Sequence, residues 1–188
     1  PVVAKSVQFL ATSIREDGSW PIDTNLAIWG TTLSIAARTE TQAGLEEESR
    51  RPLVDWLLAC QHKEVHPYTQ AAPGGWAWSD LPGAVPDADD TAGALLTLHR
   101  LGSNDAIALE AAEAGIGWLL GLQNRDGGIP TFCRGWTNLP FDRSAADLTA
   151  HALGAMGVWL EKLPADLRRR TDGAMSRAME FLQVAQRE

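Results

Sequence analysis

Apolar residues recur along this chain at helical rather than strand spacing. The periodicity predicts about seven helices, near 2–15, 25–38, 50–61, 89–101, 104–123, 145–161 and 166–186. They alternate between two classes. The first, third, fifth and seventh carry charge on one face, as in Arg50-Arg51 with Asp55, or Arg168-Arg169-Arg170 with Arg177 and Glu180. Such amphipathic helices belong on an outer surface. The second, fourth and sixth are nearly apolar all round: Leu26-Ala27-Ile28-Trp29, Ala92-Gly93-Ala94-Leu95-Leu96 and Ala152-Leu153-Gly154-Ala155-Met156. Helices of that kind are buried on both sides and form an inner layer. The pattern predicts an all-α fold, an α/α barrel (toroid) of alternating inner and outer helices. An irregular bundle or open solenoid is the alternative packing.

A repeat runs through the same pattern. An aromatic-Leu helix end, a Gly-rich turn and a more apolar helix follow one another at Phe9-Leu10 with Asp17-Gly18-Ser19-Trp20. The unit returns at Trp56-Leu57 with Gln61 and Gly74-Gly75-Trp76, and at Trp118-Leu119 with Gln123 and Asp126-Gly127-Gly128. A period of about 50 residues reads as stacked helix pairs. A fourth unit opens at Phe181-Leu182 with Gln186 and stops ahead of its glycine turn. The expectation is a single partial domain over 1–188, cut from a longer protein.

Alternation fixes where the acids lie. If successive helices run up and down, the second, fourth and sixth start at one rim, and those starts carry Asp23, then Asp87, Asp89 and Asp90, then Asp147. The loops feeding two of the starts, about 62–86 and 124–143, are long for a compact domain, and long ordered loops tend to be functional.

Each acid alone has an ordinary structural reading. Asp at a helix start satisfies free N–H groups and the helix dipole. Asp147 completes a capping box with Ser144, and His151 alone reads as a satisfied core histidine. Together they point further. Asp147 and His151 are four apart and share a helix face. Three carboxylates at an apolar mouth cannot all ionise cheaply, because neighbouring charge and desolvation raise a pKa from its reference near ~3.9. A carboxylic acid held protonated is a proton donor. His151 can hydrogen-bond the carboxylate left behind. Trp76 and Trp78, at period-2 spacing in a Gly-flanked loop, and Phe132 in the second long loop are candidate cavity rings, each worth roughly 0.5–2 kcal/mol to a passing cation. The opposing reading has them plug the loops.

Composition narrows the partners. The chain is 45% hydrophobic and 21% charged, with a net charge of −8. An acidic balance argues against nucleic acid, which needs a cationic face. No apolar run approaches the ~20 residues of a membrane span, and the opening residues carry no secretory-signal pattern. Cys60 and Cys133 are too few for a disulfide scaffold or a cysteine-based zinc cluster. A reducing, cytoplasmic compartment is the expectation. Eight Trp stand against one Tyr and four Phe, several of them at the repeat positions.

Pro73-Gly74-Gly75-Trp76-Ala77-Trp78 followed by Pro86-Asp87-Ala88-Asp89-Asp90-Thr91-Ala92 resembles the signature loop of squalene–hopene and oxidosqualene-type cyclases. The aromatic-Leu, Gln and Gly-x-Trp units resemble their QW motifs, and Asp147-Leu148-Thr149-Ala150-His151 is similar to the segment supplying the histidine partner of the catalytic acid. The resemblance implies a class II terpene cyclase in which Asp89 protonates the terminal alkene of a linear isoprenoid such as squalene. Asp87 and Asp90 would tune it, and His151, with Asp147 nearby, would sharpen its acidity. Trp78 and Phe132 would line the cation path; no metal or cofactor is implied. Ile14 stands in place of the first repeat's Gln, Ile129 in place of the third repeat's aromatic, and Ile22-Asp23-Thr24 lacks the family's aromatic before Asp, which suggests a divergent branch. The family's catalytic barrel has more helices than this chain, and gaps would expose Asp89 to water. The isolated chain is therefore expected to be inactive without the remainder of the cyclase chain, and any peripheral membrane contact is assigned to that remainder. Two rivals remain: a protein prenyltransferase β-like barrel, whose zinc ligands Cys133 and His151 would only partly supply, and a non-catalytic isoprenoid-binding module.

Overall fold

A computed structural model describes residues 2–14, 16, 18, 25–40, 45–102, 105–133 and 142–186. It holds seven α-helices among these residues: α1 (Val2–Ser13), α2 (Ala27–Glu40), α3 (Glu47–Ala59), α4 (Ala88–Arg100), α5 (Ala106–Leu122), α6 (Ala146–Trp159) and α7 (Ala165–Ala185). Every helix inferred from apolar spacing is present. Strands are absent among the described residues, which contain only isolated β-bridges. The fold is all-α.

Inner and outer helices alternate as the two classes of pattern require. α2, α4 and α6 pack side by side, with α4 between the other two, while α5 and α7 cover α4 and α6 from outside. The core lies between these layers, where Leu95, Leu98, Ile116, Leu119, Met156 and Trp159 are fully buried. The Trp159 indole N–H donates to the Leu95 carbonyl at 2.9 Å, tying α6 to α4. The outer faces carry ion pairs such as Arg51–Asp55 at 3.1 Å.

One expectation needs correction. The inner helices are not enclosed on both sides, because α2 exposes Trp29 and Leu33, and α6 exposes Ala150, Gly154 and Gly157. Around Gly154 nothing lies within 4 Å of where a Cβ would stand, whereas Gly157 turns toward Met175 of α7. The chain forms an open arc of an α/α barrel.

The repeat is a packing device. Gln61, just past α3, donates through Nε2 to the Gly74 carbonyl at 2.8 Å and to the Ala111 carbonyl of α5 at 2.9 Å. Gln123, just past α5, donates to the Gly127 carbonyl at 2.9 Å and to the Ala174 carbonyl of α7 at 2.8 Å. Each glutamine therefore fastens its own turn to the next outer helix. Gly74 (φ +117°) and Gly127 (φ +91°) allow that approach, since a Cβ would strike the carbonyls of Ala114 and Arg177. The repeat's aromatic then closes the turn: Trp118 lies on Gly75 and Phe181 on Gly128. Phe9, the first repeat's counterpart, is exposed, and Asp17, Ser19 and Trp20 lie outside the described residues.

Removing one glutamine should test this account. Gln61→Ala loses two hydrogen bonds in a buried setting and should cost about 1–3 kcal/mol in urea unfolding. Gln123→Ala, in a half-buried setting, should cost less.

Candidate active site

The starts of the inner helices are joined through the two long loops. The N–H groups of Ile28 and Trp29 donate to the Trp78 carbonyl at 3.1 and 3.2 Å, which fixes the start of α2. Two residues back, the Trp76 carbonyl accepts from Asp87 N–H at 3.0 Å. Ala88 N–H reaches the Thr131 carbonyl at 3.1 Å, and Ala145 N–H reaches the Ile129 carbonyl at 3.0 Å. Thr91 and Thr149, each in the first turns of its helix, accept from the N–H of Trp76 at 2.9 Å and of Ile129 at 2.8 Å. All three starts therefore lie at one rim, as alternation predicted. Asp89 and Asp147 occupy the same place, the second residue of α4 and of α6.

Asp87 is the N-cap of α4, and its Oδ1 accepts from Asp90 N–H at 2.9 Å. N-cap and third residue share a face, so both side chains turn inward. Each residue is only 4% exposed. Burial, then the neighbouring Asp90 charge, pushes Asp87 well above the usual carboxylate range. Burial likewise pushes Asp90 up to about 6. Asp90 Oδ1 is buried without a hydrogen-bond partner.

Asp89 points the other way, with 38% of its side chain exposed. Its Oδ1 meets His151 Nδ1 of α6 at 2.7 Å. That hydrogen bond is the main reason its carboxyl sits below the usual range; partial burial opposes it, and the His151 charge and the nearby Trp29 side chain add to it. An ionised Asp89 can only accept, so Nδ1 carries the proton in that state. The order of acidity is thus the reverse of the expected one. Burial, with neighbouring charge second, raises Asp87 and Asp90, whereas the His151 hydrogen bond outweighs the partial burial of Asp89.

The other candidates divide. Trp78 and Phe132 are half-buried at the rim, and Phe132 bridges to Asp87 through the backbone. Trp76 is no cavity ring: it is fully buried, its indole N–H donates to the Leu57 carbonyl at 2.8 Å, and its ring packs on Gly115 of α5. Alternation along the loop gave two faces without saying which was inside. Asp147 is exposed, and among the described residues it makes no hydrogen bond to His151. Its expected box with Ser144 does not form, because Ala145 caps α6 and Ser144 Oγ donates to Asp126 Oδ1 at 2.7 Å. Asp23 lies outside the described residues. Trp29 was missed as a site residue, since its spacing only marked it as part of an apolar helix. Among the described residues no group of three or more His, Cys, Asp or Glu could hold a metal ion, and no helix is long and apolar enough to cross a membrane.

Residues 26–188 match the family model of the squalene-hopene cyclase C-terminal domain. The chain is 27% identical over 176 residues to sporulenol synthase of Bacillus subtilis, covering 84% of this chain and 27% of that protein. It is 30% identical over 192 residues to an enfumafungin synthase of Hormonema carpetanum, covering 90% and 14%. A squalene–hopene cyclase of Bradyrhizobium diazoefficiens is 30% identical over 112 residues, 56% of this chain and 17% of that one. The chain spans well under a third of the length of these relatives.

The buried pair has a consequence for stability. The folded state favours protonated Asp90, so its contribution is complete below about pH 4 and is lost as pH rises through about 6. Asp90→Asn removes this titration while leaving Asp87 in place. Its melting temperature relative to the unsubstituted chain should therefore rise between pH 4.5 and 7.5, followed by circular dichroism; a constant difference would count against the buried-acid account.

Proposed function

Because the chain belongs to the squalene-hopene cyclase C-terminal domain family, we propose that it is the acid-bearing part of a class II triterpene cyclase. Its substrate is a linear isoprenoid such as squalene. Residues 1–188 form one partial α/α-barrel domain that the remainder of the parent chain completes. The observation that carries this reading is the 2.7 Å contact between Asp89 of α4 and His151 of α6 at the rim of the inner layer.

The chemistry follows from that contact. An alkene is a feeble base, so its protonation needs a strong acid aimed at carbon. The Asp89 O–H bond breaks, its proton forms a C–H bond at the terminal alkene carbon, and the electron pair stays on the carboxylate. His151 stabilises that carboxylate through a charge-assisted hydrogen bond. The cation forms at the more substituted carbon and draws on the next double bond, while the rings of Trp78 and Phe132 offer it their negative faces. Burial keeps the proton on Asp87 and, below about pH 6, on Asp90, which spares Asp89 adjacent negative charge.

The acid must also be loaded. Half-exposed and served by two donors, Asp89 loses its proton to water too readily in the open arc. Closure by the parent's other helices and by the greasy substrate excludes water, which raises the carboxyl and protects the cation. The isolated chain is therefore inactive. Asp147, on the exposed side of α6, has no direct part in proton transfer.

Products of the full-length parent incubated with squalene, separated by gas chromatography and mass spectrometry, test both halves. Cyclised hydrocarbon is expected from the parent and none from the short chain. Asp89→Asn should reduce turnover at least about 1,000-fold, the scale of a lost general acid with its positioning. Undiminished substrate binding with no cyclisation by the unsubstituted parent would favour a non-catalytic isoprenoid carrier.

A further inference from the structure

Trp29 stands about one turn before Thr32 on α2, and Thr32 packs on Gly93 of α4, its Oγ1 3.1 Å from where a Cβ of that glycine would lie. Asp89 stands about one turn before Gly93 on α4. The two helices start at the same rim and run the same way, because Trp78 fixes the first and Trp76 the second within three residues of loop. Indole and carboxyl therefore lie at one level. The Trp29 side chain lies close enough to Asp89 to help hold its carboxyl below the usual range. Its ring is 40% exposed on the strip it shares with Leu33 and Leu26, the strip that no outer helix covers.

The indole Nε1–H is a donor only. It can serve a carboxylate, or the carbonyl oxygen of a carboxylic acid, but it cannot take up the proton. His151 approaches Asp89 from α6 on one side and Trp29 approaches from α2 on the other, so the carboxyl is clamped between the two neighbours of its own helix. A carboxyl half open to the cavity would otherwise rotate about its side-chain torsions. Two donors from two helices leave one orientation for the O–H.

We propose that Trp29 is a positioning residue for proton transfer: its indole N–H holds the Asp89 carboxyl toward the cavity and shares, with His151, the charge left when the proton departs. This rests on the reading of Asp89 as the proton donor. The mechanism separates the roles of ring and N–H. The ring is a wall of the cavity, while the N–H acts on the acid alone.

The test compares Trp29→Phe, Trp29→Leu and Asp89→Asn in the full-length parent, with squalene as substrate. Phe keeps an aromatic wall and loses the donor; Leu loses both. Since Trp29 is substantially exposed, neither change removes a core contact. Both should lower kcat about 10-fold, with Trp29→Phe leaving KM within about two-fold. Losing a donor to the carboxylate makes it ionise at higher pH, so the alkaline limb of the kcat profile should move upward in both variants. If Trp29→Phe matches the unsubstituted parent in kcat and limb position while Trp29→Leu is impaired, the ring alone matters and the proposal falls. If Asp89→Asn retains turnover, the proton-donor reading falls and takes this one with it, a result distinguishable from the first because it does not involve Trp29.

Discussion

A belt of main-chain hydrogen bonds holds this molecule's chemistry in place. From Trp78 to the start of α2, from Trp76 to Asp87, from Thr131 to Ala88 and from Ile129 to Ala145, it joins the three inner helices at one end. Without it the inner helices would be joined mainly by apolar flanks and the Trp159–Leu95 bond, and apolar contacts permit sliding. With it, side chains on three different helices are brought to a common level to within the tolerance of a hydrogen bond. Asp89 and His151, separated by 62 residues in sequence, meet because their backbones are fixed there.

The repeat supplies the counterpart on the outside. Gln61 and Gln123 reach carbonyls of the next outer helix, and Trp118 and Phe181 cover the glycine turns they leave behind. The long loops are consequently anchored at both ends, at the outer layer by glutamine and glycine and at the inner layer by threonine. This explains how the first of them, over 62–86, positions the start of α4. Ile129 shows how much the pattern tolerates: it fills the place that Trp76 holds in the preceding repeat, and its N–H makes the same bond to a threonine.

The fold was legible because helical periodicity and the charge of alternate helices are local properties of sequence. So was the pairing of Asp89 with His151, which needed only that alternate helices begin at one end. What escaped depends on rotation about a helix axis or on distant neighbours. Asp87-Ala88-Asp89-Asp90 reads as three similar acids, yet cap and third residue fold inward together while Asp89 turns outward; the three-residue spacing of Asp87 and Asp90 was the available signal. Sequence suggested the same reciprocal cap for Ser144 and Asp147, but Asp126 captures the serine. The fate of Trp76 turned on a gap above Gly115, and that of Trp29 on an acid 60 residues away, and neither leaves a trace in its own surroundings.

Main-chain bonds are indifferent to the side chains that hang from them. A rim knitted in this way can exchange the aromatic furniture at 29, 78 and 132 without loosening its frame, so the shape of the hollow and the sturdiness of its walls can be varied separately. A frame built on those terms is suited to remodelling one ring at a time.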